Sequence, residues 1–194
     1  RAAIDNPALS KVGISTTVSP TASSGNHAQA VAYAAMKRSI PAYIVMPRNA
    51  PKVKIQAVEG YNAKITLCEP TLKARRETLE NIAKKTGAYV VHPFNEPKVI
   101  AGQGTSAMEM IEDIGDLDAI CAPIGGGGLM SGTCIAARSM LPNVRLFGAE
   151  PKGADDAYQS LKKGKLIPQE NPNTICDGLL TSMGENTLME FNKA

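Results

Sequence analysis

Four consecutive glycines carry the strongest chemical signal in the sequence. Cys121-Ala122-Pro123-Ile124-Gly125-Gly126-Gly127-Gly128-Leu129-Met130-Ser131-Gly132 reads as the end of a buried strand, a glycine turn and the start of a helix. Without Cβ atoms, such a turn can bring several backbone N–H groups close to one anion. The helix adds its unpaired first-turn amides and the positive end of its dipole. A phosphate is the natural occupant; the plain alternative is a tight turn, for which one glycine would suffice. A second anion site is readable at Ser23-Ser24-Gly25-Asn26-His27, where a helix opens on Gly25. Its amides suit a carboxylate, while the competing reading is a simple serine N-cap. Two anion sites of different size point to a phosphorylated cofactor beside an amino or hydroxy acid.

Three further residue groups bear on chemistry. Glu150, the Ala154 carbonyl and Asp156 offer hard oxygen ligands for Mg²⁺ or Ca²⁺. Spacing alone favours the alternative, in which Asp155 or Asp156 caps a helix over Ala157–Lys163. Arg75 falls three residues after Leu72 and four before Leu79, on the apolar stripe of its helix. It either lays its stem over that stripe or turns into a cleft to clamp a carboxylate. Gly126-x-Gly128-x-x-Ser131, with Glu150 about 20 residues on, approximates a dinucleotide fingerprint and stays open as a competitor. With only His27 and His92, and no G-x-S-x-G elbow, a serine hydrolase has no support. No histidine, cysteine and carboxylate spacing suggests zinc.

The elements that must position these groups alternate strand and helix. Val12–Val18 is a short β-prone run, and a helix follows with Ala28, Val31, Ala32, Ala35 and Met36 on one face. Strands are expected at Ala42–Met46, Ala63–Cys68, Tyr89–Val91, Ala119–Ile124 and Val144–Ala149. Helices are expected from Pro51 to about Gly60, from Pro70-Thr71 to Gly87, from about Gln103 to Ile114 and over Leu129–Met140. The alternation implies βαβ units and a mostly parallel sheet, whose ligands collect at the carboxyl ends of strands.

Composition bounds the rest. The chain has 194 residues, 43% apolar, which suits one good core or two small ones. No apolar run approaches the ~20 residues that span a bilayer, so a membrane role is not expected. The net charge of +3 is dispersed, Trp is absent and aromatics are 4%, so no nucleic-acid surface is read. Cys68, Cys121, Cys134 and Cys176 are far apart, and buried reduced thiols in a cytoplasmic protein are expected. The sequence opens on Arg1-Ala2-Ala3 without an initiator Met, so a fragment of a longer chain is expected.

Taken together, the motifs are recognisable. Ser23–His27, His92-Pro93, Ile100-Ala101-Gly102-Gln103-Gly104-Thr105, Gly125–Gly128 and Glu150-Pro151 with Ala154-Asp155-Asp156 follow one another along nearly the whole chain. In these the chain resembles the fold-type II pyridoxal-phosphate family, in its serine racemase and serine/threonine dehydratase branch. The resemblance implies an α/β, tryptophan synthase β-like fold with parallel sheets flanked by helices. A small mobile domain would span 18–95, with 1–17 and 96–194 forming part of the large cofactor-binding domain. Pyridoxal 5'-phosphate would place its phosphate on Gly125, Gly126, Gly127, Gly128 and Leu129, and Asn26 would hydrogen-bond the ring hydroxyl.

The resemblance also assigns the remaining roles. Ser23, Gly25 and His27 would hold the substrate carboxylate, and Arg75 would swing toward substrate on closure. Glu150, Ala154 and Asp156 would hold Mg²⁺ (or Ca²⁺ or Mn²⁺), which reverses the preference for a cap. Gln29 and Tyr61 would line an ATP effector site in a homodimer. Racemisation needs a base on one face and an acid on the other. Ser24 would be one of the pair and the Schiff-base lysine the other. Dehydratases of the family commonly carry alanine at the Ser24 position, so the implied activity is racemisation of serine with loss of water to pyruvate. The alternative is a threonine, serine or 3-hydroxyaspartate dehydratase. Arg1-Ala2-Ala3 looks like the tail of the lysine's K-x-R-G/A-A motif, and no lysine of the 194 residues occupies that context. The chain alone is therefore expected to be inactive. Phe94 stands where some racemases carry a cofactor-contacting asparagine, with Asn95 beside it.

Overall fold

The computed structural model describes residues 19–22 and 25–191. The β-prone run at Val12–Val18 and the serines Ser23 and Ser24 lie outside the described residues. The chain divides into two compact units, one ending at Pro93 and the other starting at Phe94.

The first unit is built from β1 (Ser19–Ala22), α1 (Asn26–Lys37), β2 (Ala42–Pro47), α2 (Lys52–Gly60), β3 (Lys64–Cys68) and α3 (Leu72–Thr86). Its sheet is parallel in the order β1-β2-β3, with Ser19 beside Ala42 and Tyr43 beside Lys64. β2 is central and buried at five of its six positions, as expected of a continuous apolar run between two helical layers. Ala28, Ala32, Ile44, Met46, Ala50 and Val58 form its core. The small alanines of α1 let the helix lie close to β2. Local signals set the ends of α3. Thr71 accepts a hydrogen bond from Ala74 N at 3.1 Å, and Gly87 closes the helix at φ 68°.

One expected strand does not form. Tyr89–Val91 is irregular, with Tyr89 and Val90 exposed. A three-residue run has β propensity, but tertiary context decides whether it becomes a strand. Here His27 Nε2 lies 3.2 Å from Val91 O and takes up that carbonyl.

The second unit holds α4 (Pro97–Ile114), β4 (Ala119–Pro123), α5 (Gly128–Met140), β5 (Arg145–Ala149), α6 (Asp156–Lys163), a 3₁₀ turn (Asp177–Leu179) and α7 (Glu185–Phe191). β4 and β5 pair in parallel, Ala119 beside Arg145 and Pro123 beside Ala149. α4 starts at Pro97 rather than at Gln103, because Pro97 suits the first helical position and Glu96 accepts from Lys98 N at 3.4 Å. α4 and α5 meet backbone to backbone. A Cβ on Gly104 would stand 2.8 Å from Gly132 O, and one on Gly132 would collide with Ile100 O. The Gly104 of the Ile100–Thr105 motif thus sets a helix crossing.

Two core clusters fill this unit: Ala122, Ile124, Met130, Cys134, Ala157, Met183 and Leu188, and Ile111, Ile120, Ala137 and Val144. Met183 and Leu188 come from a stretch with no readable period. All four thiols are free, but only Cys68 and Cys134 are buried. Cys121 and Cys176 are exposed, against expectation. On β4, Ile120 and Ala122 are buried while Cys121 alternates to the opposite face. No described helix is long and apolar enough to cross a membrane.

Candidate cofactor site

The glycine run leaves β4, whose last neighbour Ile124 donates to Ala149 O at 2.9 Å, and enters α5. Gly127 sits at φ 89°, ψ −7°, a left-handed conformation that glycine adopts without strain, and no side chain among the described residues caps the helix. The amides of Gly126, Gly127, Gly128 and Leu129 find no acceptor among the described residues. Gly126, Gly127 and Gly128 are buried and Leu129 half-buried. Buried N–H groups at a helix N-terminus are costly unless an anion or water meets them, so the residues present fit a phosphate.

Each glycine also answers a need that the sequence does not display. A Cβ on Gly126 would collide with the Phe94 ring, and one on Gly128 would lie 3.0 Å from Phe94 Cα. On Gly127 it would lie 2.7 Å from Thr187 Cβ, and on Gly125 3.2 Å from Gly178 O. The protein itself closes around the loop from three directions. Phe94 lies against the glycine loop. Asn95 faces α7, where its Oδ1 accepts from Asn186 N at 2.8 Å and its carbonyl from Asn186 Nδ2 at 3.1 Å. Thr187 and this use of Asn95 were missed by sequence reasoning, which had no local signal for either.

At the other anion site, Gly25 precedes α1, and among the described residues no side chain caps the helix. Asn26 is exposed at its first position, and Gln29 N donates to Gly25 O at 3.3 Å. Burial depresses the His27 pKa, with His92 adding to the effect and the Val91 hydrogen bond opposing it. His27 is therefore neutral, with its Nε2 proton directed to Val91 O. Lys54 was not singled out by sequence, yet its Nζ lies 3.6 Å from where a Gly25 Cβ would stand.

The Nε of Arg75 is buried without a hydrogen-bond partner among the described residues, which fits a group waiting for a ligand. Burial pushes the neighbouring Cys68 thiol up, and the charge of Arg75 pulls against it. Tyr61 packs edge-to-face on Tyr33, with ring centroids 5.2 Å apart, and borders a cavity of about 320 Å³. Tyr33 follows Gln29 by one helical turn, so Gln29 and Tyr33 share a face of α1.

The acidic turn is arranged differently from the expected cap. Glu150, not Asp155 or Asp156, receives the first amides of α6, from Ala157 N at 3.1 Å and Tyr158 N at 2.9 Å. Asp155 instead accepts from Gln159 Nε2 at 2.9 Å. Asp156 is buried and accepts from Met183 N at 2.7 Å. Burial pushes the carboxyl groups of Glu150 and Asp156 above their ordinary values, and the neighbouring acids add to this while the amide bonds oppose it. Among the described residues no three His, Cys, Asp or Glu side chains gather as a metal cluster. Two carboxylates with unused lone pairs and the buried Ala154 fit only a cation completed by water. Both Glu150 oxygens accept from the first turn of α6, so the carboxylate is oriented by that helix.

Fold and loop together define an α/β protein with a glycine loop of unpartnered amides, among the described residues, at the end of a parallel strand. The family description "Pyridoxal-phosphate dependent enzyme" matches residues 8–192, and the chain belongs to that family. It is 50% identical over 167 residues to the beta-hydroxyaspartate dehydratase of Paracoccus denitrificans, covering 86% of this chain and 53% of the relative. It is 48% identical over 169 residues to the serine racemase of Dictyostelium discoideum, covering 86% and 52%. The solved structure of maize serine racemase superposes with a TM-score of 0.89 at 43% identity, over 97% of this chain and 57% of that one. The chain spans about half the length of the curated relatives it matches.

Proposed function

We propose that the protein of which this chain forms part racemises serine between its L and D forms, with loss of water to pyruvate and ammonia as a companion reaction. The observation that carries the reading is the buried, uncapped amide cradle at Gly126–Leu129 in a chain of the pyridoxal-phosphate family. The serine racemase relatives support the substrate. When bound, pyridoxal phosphate supplies an electron sink that makes the substrate's Cα proton removable. This chain's own residues bind and orient the reactants and supply the proton-transfer group on one face, the other being the Schiff-base lysine outside this chain. The amides of Gly125–Leu129 hold the phosphate, and Asn26 donates to the ring hydroxyl. The first-turn amides of α1 at Gly25 and His27, with Ser23, hold the substrate carboxylate. Ser24 moves the proton on one face of Cα, helped by the charge of Lys54 near the same helix end.

The small domain is taken as 18–95, most of which lies in the unit that ends at Pro93. It closes over the large domain and brings Arg75 to the substrate. Glu150, the Ala154 carbonyl and Asp156 hold Mg²⁺, Ca²⁺ or Mn²⁺ with water. Gln29 and Tyr61 face an ATP effector in a cytoplasmic homodimer.

The test is an assay of the full-length protein with L-serine, pyridoxal phosphate and Mg²⁺, following D-serine and pyruvate together. Ser24→Ala should abolish D-serine and spare part of the pyruvate. A second reading, dehydration of a 3-hydroxy amino acid without racemisation, is favoured by the 50% identity to beta-hydroxyaspartate dehydratase. Keto acid alone, faster from 3-hydroxyaspartate than from serine and little changed by Ser24→Ala, would establish that reading.

A further inference from the structure

We infer that Thr187 is a positioning residue for the loop that takes the cofactor phosphate, an assignment that rests on the pyridoxal-phosphate reading above. Thr187 is fully buried in the first turn of α7. Its hydroxyl accepts from Gly184 N at 3.0 Å. Its single proton lies between Gly126 O at 2.9 Å and Gly184 O at 2.8 Å. Gly184 N also stands 3.2 Å from Gly126 O, so two donors converge on that carbonyl.

The consequence follows from peptide geometry. In a trans peptide the C=O of Gly126 and the N–H of Gly127 point in opposite directions in one plane. Drawing the Gly126 carbonyl toward Thr187 therefore turns the Gly127 amide the other way, into the cradle. The Thr187 side chain also presses on the loop from behind, since a Gly127 Cβ would lie 2.7 Å from both its Cβ and its hydroxyl. The segment is anchored on either side. Ser131 Oγ on α5 donates to Thr187 O at 3.4 Å, and Met183 N donates to Asp156 Oδ2 at 2.7 Å.

A purely structural role is the alternative: Thr187 accepts from Gly184 N as a third-position capping residue does. That role requires no bond to Gly126. The two are separated by comparing pyridoxal phosphate with pyridoxal, which lacks the phosphate. In the full-length protein, the ratio of their dissociation constants isolates the contribution of the cradle. Thr187→Val should lower that preference for the phosphorylated form about tenfold and move the ³¹P resonance of the bound cofactor. Thr187→Ser, which keeps the hydroxyl, should restore both. A folded Thr187→Val protein with an unchanged preference, or one weakened equally toward both ligands, overturns the assignment. A wild-type protein that binds neither ligand overturns the functional reading itself.

The wild-type protein offers a test that needs no variant. Pyridoxal phosphate should slow hydrogen exchange at the Gly184 amide well beyond any effect of pyridoxal. Equal protection by the two ligands overturns the assignment.

Discussion

A methyl group added at Gly126 would meet the Phe94 ring, so the loop and the aromatic side chain cannot both keep their places. Gly126→Ala should cost about 2 kcal/mol in denaturant unfolding. Much of that loss should disappear when Phe94 is also truncated to Ala, as a double-mutant cycle would report. His27 supplies a second residue-level prediction. It is held neutral by burial, so its pKa in the fold lies below the ordinary 6.5. As pH falls, the unfolded chain takes up the proton first. The contribution of His27 is therefore whole above about pH 6.5 and is lost progressively below it. Urea midpoints at pH 7.5 and 5.5 should differ less in His27→Gln than in wild type; equal differences would refute the assignment.

At the scale of elements, two glycines of α4 and α5 touch where side chains would normally separate helices. Gly132→Ala would drive its methyl into the backbone of α4 and should destabilise the second unit by about 3 kcal/mol. Gly102 lies in α4 with nothing within 4 Å of its missing Cβ. Gly102→Ala should therefore stabilise by about 0.5–1 kcal/mol, the ordinary helix preference for alanine. Thermal melts of both variants read the contrast directly. The chain of contacts from α7 to the loop works at the same scale: Thr187 reaches Gly126 across 61 residues of sequence.

For the whole molecule, the acidic turn and the glycine loop are mechanically joined. Met183 is hydrogen-bonded to Asp156, and the adjacent Gly184 to Gly126. A cation held by Glu150, the Ala154 carbonyl and Asp156 would stiffen the anchor of that segment. Mg²⁺ should then slow pyridoxal-phosphate loss from the full-length protein by about fivefold or more, and a chelator should reverse it. Dialysis followed by absorbance of the retained cofactor measures this; identical retention with and without Mg²⁺ would count against the coupling.

Local chemistry was legible from residues alone. Alternating apolar runs and glycine or proline stops marked β2, β3, β4 and β5 and most helix ends, because backbone preferences and caps act over a few neighbouring residues. Thr71 and Gly87 bound α3 for that reason, and the glycine run declared a strand-to-helix turn able to hold an anion. Tertiary structure decided what meets that turn. Nothing near Phe94 or Thr187 in sequence shows that each lies against a glycine, and nothing near Gly104 shows that Gly132 faces it. The same holds where the structure departs from local preference. Tyr89–Val91 has strand-forming residues but is irregular, and Glu150 rather than Asp155 caps α6 because the turn brings its carboxylate over those amides. Sequence period reports which face of an element is apolar. Only the packed chain determines which surfaces meet, since that depends on contacts between segments far apart in sequence.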